Sequence, residues 1–126
     1  MEHWHRSGQA LLNEISATQL PASQLAVWSI GQCGFIFKYE DTVVCIDPVL
    51  SDLTGPNGSR RCYPAPFAPE ALRADLVLCT HGHADHMAKE TLRGLARHPG
   101  TRFVFPSGCS ALAAEYGIPA DRITTV

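Results

Sequence analysis

The feature that most constrains this 126-residue chain is a junction near its middle. Leu76-Val77-Leu78-Cys79 is a short apolar run of the kind that forms a buried strand. It leads directly into Thr80-His81-Gly82-His83-Ala84-Asp85-His86. Beyond that turn, Met87, Ala88, Leu92, Leu95 and Ala96 recur on one helical face until Pro99-Gly100. His81, His83, Asp85 and His86 are all good metal ligands. In an extended segment alternate side chains point the same way, so His81 and His83 can converge on one cation. Asp85 and His86, turning into the helix, point elsewhere and can serve a second. Neutral imidazole and carboxylate suit zinc, manganese or iron, and geometry rather than affinity selects among them.

Two plainer readings compete. A polar loop can carry surface histidines by chance, but lone histidines such as His3, His5 and His98 are far commoner than this grouping. A structural zinc site uses four closed ligands, often cysteines. No cysteine stands at ligand spacing here, and the position of Cys79 in the apolar run favours a core role.

The flanking pattern is a succession of short elements. Ala10, Leu11, Leu12 and Ile15 predict an amphipathic helix within residues 5–17. Three runs, Leu25–Ile30, Phe35–Tyr39 and Thr42–Ile46, are rich in aromatic and β-branched residues. Gly31, Gly34 and Glu40-Asp41 punctuate them, which predicts three consecutive antiparallel strands with tight turns. From Pro48 to Pro69 there is no periodicity, and Gly55, Pro56, Asn57 and Gly58 mark turns. Loops this long are often functional or mobile. Phe103–Phe105 predicts a strand, Ser107 to Tyr116 a helix capped by Ser107 and stopped at Gly117, and Arg122–Val126 a last strand.

Composition narrows the function classes. Ten Lys and Arg against twelve Asp and Glu give a net charge of −2, which supplies no basic field for nucleic acid or an anionic membrane. With 45% hydrophobic and 17% charged residues the chain reads as one globular domain spanning 1–126. No apolar run approaches the ~20 residues of a membrane span, and the opening residues lack a signal peptide's pattern. Cys33, Cys45, Cys62, Cys79 and Cys109 form no Cys-x-x-Cys pair, so reduced thiols and a cytoplasmic location are expected.

The run from Thr80 to His86 resembles the first metal motif of the metallo-β-lactamase-fold superfamily, His-x-His-x-Asp-His. Trp28-Ser29-Ile30-Gly31-Gln32-Cys33-Gly34-Phe35 and Ile46-Asp47-Pro48-Val49-Leu50-Ser51-Asp52 are also similar to its L-ascorbate-6-phosphate lactonase-like branch. The resemblance runs from about Leu25 onward. It implies an α/β (α+β) fold, the N-terminal half of an αββα sandwich with a mainly antiparallel or mixed sheet and flanking helices. It further implies a hydrolase using two divalent ions, zinc or manganese. His81 and His83 would hold the first ion, Asp85 and His86 the second. A hydroxide between the metals would attack an ester or lactone carbonyl of a small molecule, with a phosphorylated sugar lactone as one candidate, and Asp85 would orient it and shuttle its proton. Asp47 would support the site by hydrogen bonding; an Asp-Pro strand terminator is the alternative. Arg60 and Arg61 suit a substrate phosphate or carboxylate, although adjacent arginines on a solvated loop are common.

The superfamily completes its site with a further histidine, a bridging aspartate and a last histidine. After His86 this sequence offers only His98 and Asp121, in contexts that do not match. The chain therefore supplies two ligands per metal and about half of the sandwich, and by itself is expected to be an inactive or incomplete enzyme. The face that would pack on the second sheet is expected to remain apolar and exposed. Two partners would satisfy it: a complementary C-terminal half or a second copy. A non-catalytic half-domain acting as a binding or assembly module is the alternative function.

Overall fold

Alternation of side chains along each strand sorts this chain into two unlike sheet faces, one closed by helices and one open. A computed structural model describes residues 4–53, 58–62 and 64–126; His3 and the turn residues Gly55, Pro56 and Asn57 lie outside the described residues. Helix α1 (Gly8–Ala17) precedes strands β1 (Ala26–Gly31), β2 (Gly34–Tyr39) and β3 (Thr42–Ile46). Then follow β4 (Leu76–Leu78), α2 (Lys89–Leu95), β5 (Arg102–Phe105), α3 (Ser110–Glu115) and β6 (Ile123–Thr125).

The six strands form one mixed sheet in sequential order. The β1–β2 and β2–β3 pairs are antiparallel, as the tight turns require, and β3 to β6 run parallel. Parallel neighbours need crossovers, and these are the 47–75 segment, α2 and α3. Both hairpin turns use left-handed backbone at non-glycine residues, Gln32 (φ 53°) and Glu40 (φ 51°). The expected α/β class, mixed sheet and flanking helices are therefore present.

The register identifies the closed face. Trp28, Ile36, Cys45, Val77, Phe103 and Ile123 form one cross-strand row. Ile36, Cys45, Val77 and Phe103 within it are fully buried, packed with Leu11 and Ile15 of α1, Leu92 and Leu95 of α2, and Ala113 of α3. Lys38, buried in β2, secures α1: its Nζ donates to the carbonyls of Ile15 (2.9 Å) and Ser16 (2.8 Å). A cation suits the partial negative charge of a helix C-terminus. Trp28 adds a bond from Nε1 to Glu14 Oε1 at 3.0 Å.

The neighbouring rows are Val27–Phe37–Val44–Leu76–Arg102 and Ser29–Phe35–Ile46–Leu78–Val104–Thr124. None of these residues joins the core cluster. Val27 is 51% and Phe35 40% exposed, and the row interiors are half-buried. This is the open apolar face expected above.

Two helices differ in their bounds from the sequence expectation. α2 begins at Lys89 and ends at Leu95, where its last turn tightens into bonds from Arg97 N to Gly94 O and His98 N to Leu95 O. Ser107 opens a 3-10 turn without a side-chain capping bond, and α3 starts at Ser110. Gly117 (φ 76°) does end α3 as expected, donating to Ala114 O. No regular element occurs among the described residues from Asp47 to Ala68. Among the described residues no helix is long and apolar enough to cross a membrane.

All five cysteines are free thiols, with Cys45, Cys79 and Cys109 buried and Cys33 and Cys62 exposed. Burial pushes the Cys45 thiol from its ordinary 9.0 up to about 12. The folded state thus keeps a proton that the unfolded chain releases above pH 9, so stability is full below that point and falls as pH rises toward 12. The expected loss is about 1.4 kcal/mol per pH unit from this group. Urea unfolding between pH 9 and 11 checks it: Cys45→Ala should lessen the slope by that amount, and parallel curves would contradict it.

Candidate metal centre

The strands that run parallel bring their C-terminal ends to one edge of the sheet, where open α/β sheets place their ligand sites. Asp47 follows β3 and Thr80–His86 follows β4 at this edge. Asp47 N donates to Leu78 O (2.9 Å) and Cys79 N to Val104 O (3.1 Å), so the sheet's hydrogen bonding extends to the threshold of the histidine turn.

Asp47 organises the turn. It is 5% exposed and held at φ 46°, a left-handed conformation that Asp tolerates better than most residues. Its Oδ1 accepts the Thr80 amide at 2.7 Å. Its Oδ2 accepts the Thr80 hydroxyl at 2.7 Å and faces His86 Nδ1 at 2.9 Å. Burial pushes its pKa upward, but the bonds from His86 and Thr80 and the charge of His86 outweigh burial and hold it below the ordinary 3.8. Asp47 is therefore a carboxylate, and only His86 Nδ1–H can satisfy it at that contact.

The same proton accounting reaches His81. The Thr80 hydroxyl has one proton and gives it to Asp47, so towards His81 Nδ1 (3.0 Å) its oxygen must accept. The network thus assigns a ring proton to Nδ1 of both His81 and His86, so that in the neutral imidazole it is Nε2 that carries the lone pair. That is the tautomer in which an imidazole ligates metal through Nε2.

The three imidazoles are gathered. Ring centroids of His81 and His83 lie 4.7 Å apart, and those of His81 and His86 lie 4.0 Å apart. Met87 N and His86 N both donate to His83 O, at 2.7 and 2.9 Å, which closes the turn over the buried Met87. Asp85 sits beside the cluster, its Oδ2 3.9 Å from His86 Nε2. The His81 and His83 rings meet edge to face at 77°, and the His81 and His86 rings are tilted by 45°. Among the described residues no three His, Cys, Asp or Glu side chains meet the spacing of a complete metal site. In donor chemistry the set suits a divalent cation; in number of converging ligands it is a partial site.

The arginines separate. Arg60 is exposed. Arg61 donates from Nη1 to Val49 O and from Nη2 to Ile30 O (2.8 Å), and its amide bonds Asp52 Oδ1 at 3.2 Å. Its guanidinium ties the 58–62 segment to the end of β1 and to the residues following Asp47. On the other side, Thr91 Oγ1, fully buried in α2, accepts Leu50 N at 2.9 Å and contacts Ser51 Oγ at 3.0 Å. Sequence reasoning assigned no role to Thr80; the signal was a hydroxyl between a buried strand and the first histidine.

Residues 42–125 match the family model described as the Beta-lactamase superfamily domain. An uncharacterized protein of Mycobacterium tuberculosis is 35% identical over 106 residues, 81% of this chain and 28% of that protein. The fold is similar to CmlA, a diiron beta-hydroxylase from Streptomyces venezuelae, with TM-score 0.57 and 25% identity over 82% of this chain and 20% of that one. It is also similar to Igni18, a metallo hydrolase of the archaeon Ignicoccus hospitalis, with TM-score 0.52 and 19% identity over 82% of this chain and 40% of that one. This chain therefore spans under half the length of these relatives, and both solved neighbours are metal enzymes. With a model match across most of its strands and the histidine turn at the sheet's edge, the chain belongs to the beta-lactamase superfamily.

Proposed function

We propose that this chain carries the first metal-binding motif of a metal-dependent hydrolase acting on an ester or lactone, with a phosphorylated sugar lactone as the substrate class. The observation that supports this reading best is the hydrogen-bonded chain Asp47–Thr80–His81 and Asp47–His86, which leaves two imidazole Nε2 lone pairs beside a third imidazole. His81 and His83 would hold one ion, Asp85 and His86 another, zinc or manganese in each case. A divalent cation bound there would supply a Lewis acid and would lower the pKa of a bound water toward neutrality. Asp85, half-exposed beside His86, would orient the attacking water and accept its proton at Oδ. Asp47 keeps His86 in its ligating tautomer. Arg60 is the guanidinium available to an anionic substrate group, since Arg61 is engaged by backbone carbonyls.

The test is elemental analysis of the purified protein, followed by lactone hydrolysis before and after chelation. Hydrolysis that stops on chelation and returns with zinc or manganese supports the proposal. Undiminished hydrolysis refutes it, and iron with no lactonase activity would favour oxygenation chemistry of the kind named for the diiron relative.

A second reading rests on the open sheet face around Val27 and Phe35. There the chain acts as a half-domain that associates with a complementary chain or a second copy through apolar burial. Sedimentation of the isolated chain decides it: association is expected, and a well-dispersed monomer at high concentration removes its support.

A further inference from the structure

Gly82 lies between the two histidines that begin the turn, in surroundings that leave little room for a side chain. A Cβ placed on Gly82 would fall 3.2 Å from the Cys109 sulfur and 3.5 Å from Leu112 Cδ2. Carbon and sulfur at 3.2 Å are closer than ordinary van der Waals contact. Gly82 needs no special backbone angle, since its φ is not among the positive values, so the constraint is steric alone. Cys109 ends the 3-10 turn Ser107–Cys109 and is 8% exposed, and Cys109 N donates to Pro106 O at 2.8 Å. Ser107 N in turn bonds Val126 O at 2.8 Å, so the turn carrying this thiol is fastened to the β6 edge of the sheet. The backbone between His81 and His83 thus lies against side chains that come from a different crossover.

We propose that Cys109 is a positioning residue: its sulfur, through contact with Gly82, sets the separation of the His81 and His83 imidazoles. The assignment deepens the metal-site reading above and rests on it for its functional meaning. Cys109 acts by volume, as a spacer. Neither its redox state nor its ligation of metal enters the proposal.

A size-exchange cycle on the whole chain tests it, using Gly82→Ala, Cys109→Ala and the double variant. Two readouts are taken: Co²⁺ binding followed by the ligand-field spectrum, and the His81 and His83 ring resonances in metal-free protein. Gly82→Ala alone should weaken Co²⁺ binding about 10-fold or more, in the range of lost supporting contacts at metal sites, and shift both rings. Cys109→Ala alone, which removes the spacer, should also shift both rings and weaken Co²⁺ binding, by a smaller factor than Gly82→Ala. In the double variant the Ala methyl at 82 takes the space the sulfur leaves, so both affinity and ring shifts should recover, the non-additivity that marks direct coupling. Independent, additive losses would overturn the proposal. So would unchanged His81 and His83 ring resonances in Cys109→Ala, which would leave the sulfur with no part in spacing the histidines. If the unmodified chain binds no Co²⁺, the metal reading fails, while the ring resonances still decide whether Cys109 spaces the histidines.

Discussion

Alanine at both His81 and His83 is expected to weaken divalent-metal binding at least about 100-fold and to leave the fold in place. Removing even a supporting partner of a metal ligand typically costs 10–100-fold in affinity, and this change removes two direct ligands of the proposed first site. The fold should survive because His83 is exposed and His81 half-buried, and neither belongs to the core cluster. Substitutions at such positions usually stay within about 0.5 kcal/mol. Calorimetric titration with zinc, beside thermal unfolding without metal, separates the two effects. Unchanged affinity would place binding elsewhere, for example on the exposed thiols Cys33 and Cys62, and the histidine turn would lose its proposed role.

The second large effect concerns Asp47, where two substitutions should part company. Asp47→Ala strands the Thr80 amide, the Thr80 hydroxyl and His86 Nδ1 at once. It should destabilise the protein by about 3 kcal/mol, the scale for opening a buried charged network. Asp47→Asn is milder for the fold. Asn tolerates left-handed backbone and keeps a carbonyl oxygen for the Thr80 amide, so a loss of about 1 kcal/mol is expected. Its amide nitrogen, however, offers protons to His86 Nδ1 where the carboxylate accepted one. The ring then carries its proton on Nε2, the atom meant for the cation, and metal affinity should fall about 10–100-fold. Equal metal binding in Asp47→Asn and the unmodified chain would show that Asp47 serves only as a turn residue. The Asp-Pro terminator reading of that position would then stand.

Much of this organisation was legible in the residues. Strands β1 to β3 and their antiparallel pairing follow from aromatic and β-branched runs broken at Gly31, Gly34 and Glu40-Asp41, because hairpins are local and their turns are written in neighbouring residues. The strand-to-helix position of the histidine turn was equally clear. α2 was shorter than its apolar repeat, because the repeat records which residues face the core and continues through the tightened turn at Ala96–His98. The parallel order of β3 to β6 was not legible, since parallel pairing depends on crossovers that leave no local signature.

The candidate site divides in the same way. The ligand types and their spacing came from the residues themselves, since side-chain chemistry and alternation decide what can ligate, and the expectation of an uncovered apolar face came from the resemblance to a two-sheet sandwich. Only the tertiary structure decided that Asp47 holds Thr80 and His86 together, that Arg61 is tied to the carbonyls of Val49 and Ile30, and that Cys109 lies under Gly82. Each of those contacts joins residues between 12 and 39 positions apart or lies across separate crossovers. Hydrogen bonds and steric contacts act over a few ångströms of space, and a linear chain does not record which distant residues the sheet will bring within that reach.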